Sequence, residues 1–373
     1  MKRVHIDKIA SSLRRLSVAS EALLSAEIVA APGYVVAVRV LEVSPLYDEL
    51  EDRTCRMVKL YPGDVIAGVL GSRKALHGHA GEVPASIRVG DELHLLNLGG
   101  VIGRCTSSHA QVGPPIRLEV LGAVLAFPVV DSRQGVPAHL SMSALEPVAA
   151  LDPNIPPVIF VSGTCMNSGK TLAAVKIVRA LVGAGKKVVV AKLTGVAAAK
   201  DTMAMLDCGA SQALTFVDAG IPSTTALTAL PAARAVLAAL ARPNPERPDV
   251  IVAELGDGLL GEYGVLSILT AEDVRAIRAV HVCCAADPVG AYGAVGVFAT
   301  ELECQPDVFS GPVTDNAVGI NAIANRFGIG AHNAKSQSKQ LGDAVLEALE
   351  RVQRKVTPPR PIAHDGDTTH AHA

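Results

Sequence analysis

The segment VIFVSGTCMNSGKT at residues 158–171 constrains the fold more than any other part of the chain. Its first residues are apolar and mostly β-branched, which is typical of a buried parallel strand. Gly163 and Gly169 then bracket a loop, and apolar residues recur at helical spacing from 172 to 182. The segment therefore predicts a strand, a glycine-bracketed loop and the first turns of a helix.

The loop has the composition of a phosphate-binding loop, or P-loop. Glycines allow backbone N–H groups to turn towards phosphate oxygens, and the helix start adds the positive end of its dipole. Lys170 would reach the β- and γ-phosphates of a nucleotide, and the Thr171 hydroxyl would ligate Mg²⁺. The candidate nucleotide contacts in the loop are Gly163, Thr164, Asn167, Ser168, Gly169, Lys170 and Thr171.

The loop is longer by one residue than the pattern G-x-x-x-x-G-K-[ST], because Thr164 stands where that pattern requires glycine. Its form, G-T-x-x-x-x-G-K-T, resembles dethiobiotin synthetase and the related cobyrinic acid amide synthases, within the ATPase class that also holds the MinD-type proteins. The resemblance covers roughly residues 158–330. It implies an enzyme that uses ATP and Mg²⁺.

The resemblance also implies roles for polar residues beyond the loop. Lys192 stands where the family has a lysine after its second strand. Asp201 and Glu254 match acidic residues that help to hold Mg²⁺, and Asn316 is the counterpart of an asparagine that recognises adenine. Lys192 is followed by Leu-Thr instead of the family's proline, and the family's glycine run is altered at 256–258. The biotin precursor is therefore not the expected substrate.

The chemistry of these residues leads to the same interpretation. Ligands of open α/β sheets collect at the carboxyl ends of strands, where Lys192 and Glu254 are expected to lie. Phosphoryl transfer needs positive charge, which Lys170, Lys192 and Mg²⁺ would supply, and oxygens of Thr171, Asp201 and Glu254 suit this hard cation. A structural role stays open for each: Asp201 as a helix cap, Glu254 as a lysine partner, Lys192 as a solvated strand end. The candidate catalytic residues are Lys170, Lys192 and Glu254.

These features leave several functions open. The leading hypothesis is a ligase- or kinase-like enzyme that activates a small carboxylate or carbamate as a mixed phosphate anhydride, or phosphorylates it. The alternative is a nucleotide-switch ATPase or a metallochaperone whose β domain binds a partner, and a third interpretation is a scaffold that binds nucleotide without turnover. The loop lacks the additional lysine of MinD-type proteins near its start. The nearest match to the N-K-x-D motif of GTPases is NAKS at 333–336.

Turn signals and periodicity divide the chain into four parts. Residues 1–145 are predicted to form an N-terminal helix, over about the first 30 residues, and then a small all-β domain of short β-branched runs. Residues 146–157 are a proline-rich linker. Residues 158–355 alternate strands and helices, which predicts a doubly wound, mostly parallel α/β sheet. Residues 356–373 are polar and are predicted to be disordered.

Composition excludes some classes of partner. The net charge is −2 and aromatic residues are 3% of the chain, so neither a basic footprint nor a stacking surface for nucleic acid is expected. No apolar run is long enough for a membrane span. The 7 cysteines are odd in number and contain no C-x-x-C, which argues against a disulfide framework or a zinc site. We expect a cytoplasmic homodimer that binds a small-molecule acid.

The predicted β domain also contains polar residues, among them Arg73, Lys74, His77 and His79. His77 and His79 would point to the same side of an extended segment, but no third metal ligand has a matching spacing. No catalytic constellation is evident from the sequence of this domain. We therefore interpret it as a specificity or partner-binding module, with a structural appendage as the alternative.

Overall fold

The computed structural model describes residues 1–44, 46–128 and 134–356. The tail that we predicted to be disordered lies, from residue 357 onwards, outside the described residues. Two large sheets are present, one before and one after the proline-rich segment 146–157. Among the described residues, no helix combines the length and the apolar character that crossing a membrane requires.

Short strands dominate the part of the chain before the linker, and two single-turn 3-10 helices, Ser11–Leu13 and Leu140–Ser143, accompany them. The strands are β1 (Lys2–His5), β2 (Lys8–Ile9), β3 (Glu21–Ser25), β4 (Val35–Glu42), β5 (Glu49–Glu51), β6 (Met57–Lys59), β7 (Val65–Leu70), β8 (His79–Glu82), β9 (Glu92–Leu95), β10 (Val101–Ser108), β11 (Ile116–Ala126) and β12 (Val136–Pro137).

Part of this first sheet closes on itself as a small barrel. Strand β11 pairs with β4, β4 with β7, β7 with β10 and β10 with β9, and β9 returns to β11. Each strand of the ring contributes an apolar side chain to one buried cluster, namely Val38, Ile66, Leu95, Ile102 and Leu118. Strands β4 and β7 are buried on both faces, because a second cluster that includes Val35, Ala37 and Ala67 packs on their other side. Closure of the ring removes the exposed edges of a small sheet. The predicted N-terminal all-β domain is therefore present.

The predicted N-terminal helix is wrong. Residues 2–5 and 21–25 are instead antiparallel partners, β1 and β3. Ala22 and Leu24 alternate with more exposed neighbours along β3, and Leu13 is buried in the single turn of 3-10 helix. The apolar spacing that resembled a helical stripe therefore comes from residues of different short elements that are buried in one core. Pairing with distant strands therefore determines the structure of this segment, although its local apolar pattern fits a helix.

Strands and helices alternate after the linker, as predicted. The strands are β13 (Val158–Gly163), β14 (Val188–Thr194), β15 (Gln212–Thr215), β16 (Val250–Leu255), β17 (Arg278–Cys284), β18 (Val308–Ser310) and β19 (Gly330–Ala331). The helices are α1 (Lys170–Gly183), α2 (Lys200–Leu206), α3 (Ala229–Leu240), α4 (Val265–Leu269), α5 (Glu272–Ile277), α6 (Pro288–Glu301), α7 (Ala317–Phe327) and α8 (Ser338–Val356).

The second sheet is parallel throughout and has the order β15-β14-β16-β13-β17-β18-β19. Phe160 packs into a core with helices α3 to α7, whereas its neighbour Val161 packs into a second core with α1, α2 and α8. Such two-sided burial explains the continuous apolar runs of these strands. The doubly wound α/β fold is confirmed, and β13, which carries the loop, lies at the centre of the sheet.

Candidate nucleotide-binding site

The loop between β13 and α1 adopts backbone conformations that few residues tolerate. Asn167 and Gly169 have positive φ angles of 62° and 88°. A Cβ atom at Gly163 would lie 2.1 Å from the hydroxyl oxygen of Ser168, so glycine is needed where the strand turns into the loop. The two glycines that bracket the sequence motif are therefore required by the turn itself.

The end of the loop presents both a cation and free backbone donors. Gly169 precedes α1 and no side chain caps this helix start, so its first N–H groups are available to a phosphate. The Nζ atom of Lys170 donates to the carbonyl oxygen of Cys165 over 2.8 Å, which curls the side chain over its own loop. Burial lowers the pKa of Lys170, while the nearby carboxylate of Glu254 opposes that shift. An anion at this point would compensate the buried charge.

Thr171 and Glu254 meet beside the loop, although they are far apart in sequence. The Thr171 hydroxyl donates to Glu254 Oε1 over 3.0 Å. Glu254 is only 2% exposed, and its other oxygen, Oε2, is buried without a hydrogen-bond partner. Burial raises the pKa of Glu254, against the opposing effect of Lys192. A buried carboxylate oxygen without a partner is costly, and it marks a position where a cation would be stabilised.

Lys192 and Asp201 form an ion pair in the same region. Burial disfavours the charge on Lys192, but the carboxylates of Asp201 and Glu254 outweigh it and raise the pKa of this lysine. Burial likewise acts against the charged form of Asp201, and Lys192 outweighs it, so the pKa of Asp201 is lowered. Asp201, in the first turn of α2, does not cap this helix and binds Lys192 instead. Both groups are therefore held in their charged forms.

A cavity of about 610 Å³ lies beside the loop and collects most of the predicted residues. Its size is in the range of small-molecule binding sites. The predicted residues that line it are Asn167, Gly169, Lys170, Thr171, Lys192, Asp201 and Glu254. Lys192 and Glu254 lie beside the loop because the carboxyl ends of parallel strands meet at one edge of the sheet.

Other predicted contacts do not line this cavity. Gly163, Thr164 and Ser168 belong to the strand and loop but are not part of the cavity lining. The Thr164 hydroxyl instead accepts from the N–H of Ala286 over 3.3 Å. Asn316 directly precedes α7, and its side-chain oxygen accepts from the N–H of Val318 and of Gly319 over 3.0 and 3.2 Å. Its amide thus caps a helix, and recognition of adenine by Asn316 stays a prediction.

From the sequence, Arg73 and His77 were noted only as polar residues of the β domain, and no residue of that domain was predicted to line the cavity. The residues that the barrel side contributes are Tyr47, Arg73, His77, Asn97 and Leu98. From the second sheet, Asp257 and Tyr263 also line it. The glycine run at 256–258 was a sequence signal for Asp257, which has a positive φ of 69°. Arg73 and Asn97 carry no comparable local signal, because their position depends on how the barrel packs against the second sheet.

Buried polar contacts hold the barrel against this edge of the second sheet. Asn97 donates to the carbonyl oxygen of Ala197 over 2.6 Å. The carboxylate of Glu51, which is buried, accepts from the N–H groups of Ala199 and Lys200 over 2.7 and 2.6 Å. These bonds reach the start of α2, directly before Asp201. The cavity is therefore shared by the two sheets.

The predicted Mg²⁺ site can be tested against these atoms. Thr171 supplies a hydroxyl and Glu254 an unpartnered carboxylate oxygen, and hard oxygen donors of this kind suit Mg²⁺. Asp201 is engaged with Lys192. Within the described ranges, no group of at least three histidine, cysteine, aspartate or glutamate residues is arranged for metal binding. Thr171 and Glu254 therefore fit a Mg²⁺ ion that also takes oxygens from phosphate and water, and they do not fit an all-protein metal cage.

The strand, the turn-restricted loop and a helix that starts at Lys170-Thr171 define a P-loop α/β fold. No family model matches the chain, and no curated protein matches it. It is similar to the solved structure of signal recognition particle receptor FtsY from Elizabethkingia anophelis at 15% identity and a TM-score of 0.36, over 54% of this chain and 67% of that one.

Similar values are found for two further structures. Cell division protein FtsY from Thermotoga maritima is 18% identical with a TM-score of 0.36, over 56% of this chain and 74% of that one. The Signal Recognition Particle 54 kDa protein from Aeropyrum pernix K1, solved in complex with GDP, is 15% identical with a TM-score of 0.33, over 55% of this chain and 51% of that one. Likeness at this level says nothing about what this chain binds.

Proposed function

We propose that the chain is an ATP- and Mg²⁺-dependent enzyme that activates or phosphorylates a small carboxylate or carbamate. The supporting observation is that Lys192 shares a cavity with the loop residues Lys170 and Thr171. These two buried lysines, Lys170 at the start of α1 and Lys192 near the end of β14, therefore face the same cavity. In this proposal the resemblance to dethiobiotin synthetase reflects a shared type of reaction, with a different acid as substrate.

The proposed reaction is a phosphoryl transfer. An oxygen of the acid forms a bond to the γ-phosphorus, the bond from that phosphorus to the β–γ bridging oxygen breaks, and ADP leaves with the electron pair. Lys170 holds the β- and γ-phosphates, and Lys192 stabilises the charge that grows on the transferred group. Thr171 and Glu254 would hold Mg²⁺, which supplies further positive charge on the phosphates when bound. The sheet positions these groups before the substrate arrives.

A nucleotide switch is the second candidate, and one contact favours it. Glu51, on strand β5 next to the barrel, binds the N–H groups at the start of α2, and α2 carries Asp201, the partner of Lys192. A change in the nucleotide bound beside Lys192 would therefore alter the contact between α2 and Glu51, and with it the contact to the barrel. In this reading the barrel binds a partner protein and no small acid promotes turnover.

The experiment that tests the proposal measures nucleotide binding and ADP release on the same preparation. We expect ATP with Mg²⁺ to raise the melting temperature in a panel that also contains GTP, CTP and UTP, because a ligand of the folded state stabilises it. We also expect at least one acid from a panel of small carboxylates to accelerate ADP release. The Lys170→Ala variant should lose both effects, whereas Arg179→Ala, an exposed position on the same helix, should keep them.

The possible results separate the candidates. Stabilisation by ATP that is undiminished in Lys170→Ala would show that the loop does not bind the phosphates. Stabilisation that depends on Lys170, without acid-dependent ADP release, would favour the switch. A preference for GTP over ATP would overturn the choice of ATP while leaving the site in place.

A further inference from the structure

Arg73 is a buried cation in the wall of the cavity. This residue is only 8% exposed and lies in the segment between β7 and β8. The backbone fixes its position, because Arg73 and Gly81 exchange N–H to C=O hydrogen bonds of 2.8 and 2.9 Å. Arg73 lines the same cavity as the loop residues Lys170 and Thr171. It comes from the barrel, whereas the loop comes from the second sheet.

The contacts of Arg73 leave its charge without a counter-ion. The guanidinium donates to the carbonyl oxygens of Leu96 and His77, the second of these over 3.3 Å. Both acceptors are neutral, and a guanidinium has five N–H donors. In the part of the chain that the structure describes, no carboxylate lies within ion-pair distance of Arg73. Burial of an uncompensated charge is costly, so this arrangement is stabilised when an anion enters the cavity.

Lys192 provides the comparison within the same cavity. It is buried to the same degree as Arg73, and its charge is balanced by the carboxylate of Asp201. The counter-ion of Lys192 thus lies inside the protein. Arg73 has none and faces the space that a ligand would fill.

We propose that Arg73 binds a carboxylate group of the acceptor substrate, and that the barrel therefore supplies the acceptor-binding wall of the cavity. The planar fork of a guanidinium matches the two oxygens of a carboxylate. The phosphate side of the cavity is already supplied with cations by Lys170 and Lys192. The inference rests on the proposed function in taking the acceptor to be an acid. The nucleotide phosphates are the competing source of an anion.

The test measures binding of simple carboxylates without requiring turnover. Acetate, succinate and glutarate are titrated into the protein by calorimetry, in the presence and absence of ATP and Mg²⁺, with succinamide as the neutral control. We expect at least one carboxylate to bind and succinamide not to bind. Arg73→Gln should weaken that carboxylate by about 10- to 100-fold, as expected for the loss of a charge-assisted hydrogen bond. Its effect on the affinity for ATP should be less than about threefold.

Two further variants and one structure make the result decisive. Arg88→Gln removes an exposed arginine of the same part of the chain and should leave carboxylate binding unchanged. Arg73→Lys keeps the positive charge but lacks the planar guanidinium, and it should retain part of the affinity. If Arg73 variants do not fold, a crystal structure of the wild-type protein with the bound carboxylate decides: its oxygens lie against Arg73, or the inference is wrong.

Other outcomes contradict the inference directly. It is overturned if none of the carboxylates binds, if Arg73→Gln binds them as the wild type does, or if this variant loses ATP and carboxylate affinity equally. The last result would assign Arg73 to the nucleotide phosphates. Failure of the proposed function looks different: carboxylate would still bind at Arg73, but no acid would accelerate ADP release. Unchanged acid-dependent ADP release in Arg73→Gln would contradict the inference and leave the function standing.

Discussion

The hydroxyl of Thr171 donates a hydrogen bond to the carboxylate of Glu254 over 3.0 Å. The two residues lie 83 positions apart in the chain, but β13 and β16 are parallel neighbours with Val161 in register with Glu254. The sheet therefore carries the end of β16 to the first turn of α1. This hydrogen bond orients one oxygen of Glu254 and leaves the other, Oε2, buried and unpartnered. A cation that completes the site would find both groups already in place.

The first prediction concerns the requirement for Mg²⁺. Thr171→Val and Glu254→Gln keep the shape of the site but remove an oxygen ligand or its charge. We expect each to raise the Mg²⁺ concentration needed for half-maximal ATP binding by about 10- to 100-fold, the usual cost of disturbing the groups around a metal. Binding of ATP without Mg²⁺ should change far less. Glu301→Gln, at an exposed position, is the control. An unchanged Mg²⁺ requirement in both variants would remove these residues from the metal site.

The second prediction concerns the junction between the barrel and the second sheet. Asp218 is 1% exposed and pairs with Arg14 and Arg15 over 3.0 and 2.7 Å. Asp218→Asn would replace the buried partner of two partly exposed arginines by a neutral amide, which should lower the free energy of unfolding by about 2 kcal/mol. The control is Asp343→Asn, which breaks an exposed pair with Lys339 on α8 and should cost less than about 1 kcal/mol. Urea unfolding measures both, and equal losses would contradict the role of this buried pair.

The third prediction is a loss of stability in mild acid. His281 is fully buried on β17, and its Nε2 atom lies 2.7 Å from the Ser162 hydroxyl. Burial, aided by the charge of Arg278, lowers the pKa of His281 from 6.5 to about 3. Below pH 6.5 the unfolded chain therefore binds a proton that the folded chain does not bind until the pH is near 3. Stability is thus complete above pH 6.5 and falls as the pH decreases through this window.

The variant His281→Gln isolates this contribution. Glutamine does not titrate and retains a group that can bond to Ser162. Between pH 6.5 and 4.5 the wild type should lose about 2 kcal/mol more than the variant in urea unfolding, given about 1.4 kcal/mol per pKa unit. His79, whose pKa is lowered to about 4 by burial and by Arg73, adds to the slope in both proteins. Parallel curves for the two proteins would show that His281 is not a buried neutral histidine.

The parts of the site that were predictable are those with a local signal. Gly163, Gly169 and Lys170 belong to one continuous motif, whose spacing follows from the turn. Lys192 and Glu254 were found because parallel strands bring their carboxyl ends together, a rule that needs only the order of strands and helices. The longer loop, with Thr164 in place of glycine, forms the expected turn. The fold class of the second sheet followed from the same alternation.

The remaining residues depend on contacts between distant segments. Arg73 and Asn97 reach the cavity because the barrel docks on the second sheet, and no local pattern records that docking. Leu13 and Leu24 were placed on a helix because their spacing fits one, whereas a 3-10 turn and strand β3 bring them into one core. The ion pair of Lys192 with Asp201 was likewise not predicted, since both groups were considered only for their own roles. Tertiary packing decided each of these positions.

The final prediction concerns Lys192, which the account assigns to the reaction more than to nucleotide binding. Lys192→Met is expected to reduce acid-stimulated ADP release by about 10²- to 10³-fold, the usual cost of removing one group that stabilises the transition state. The affinity for ATP should stay within about threefold of the wild type, since Lys170 and the start of α1 still hold the phosphates. Thermal unfolding of the variant checks that loss of the partner of Asp201 has not unfolded it.

The most direct test of the account is the rate of ADP release from wild-type protein and from Lys192→Met, measured at saturating ATP and Mg²⁺ with and without the stimulating carboxylate. We expect the carboxylate to accelerate release from the wild type, and we expect this acceleration to be lost in Lys192→Met while ATP binding persists. Release that no carboxylate accelerates in the wild type, or acceleration that is undiminished in the variant, would contradict it.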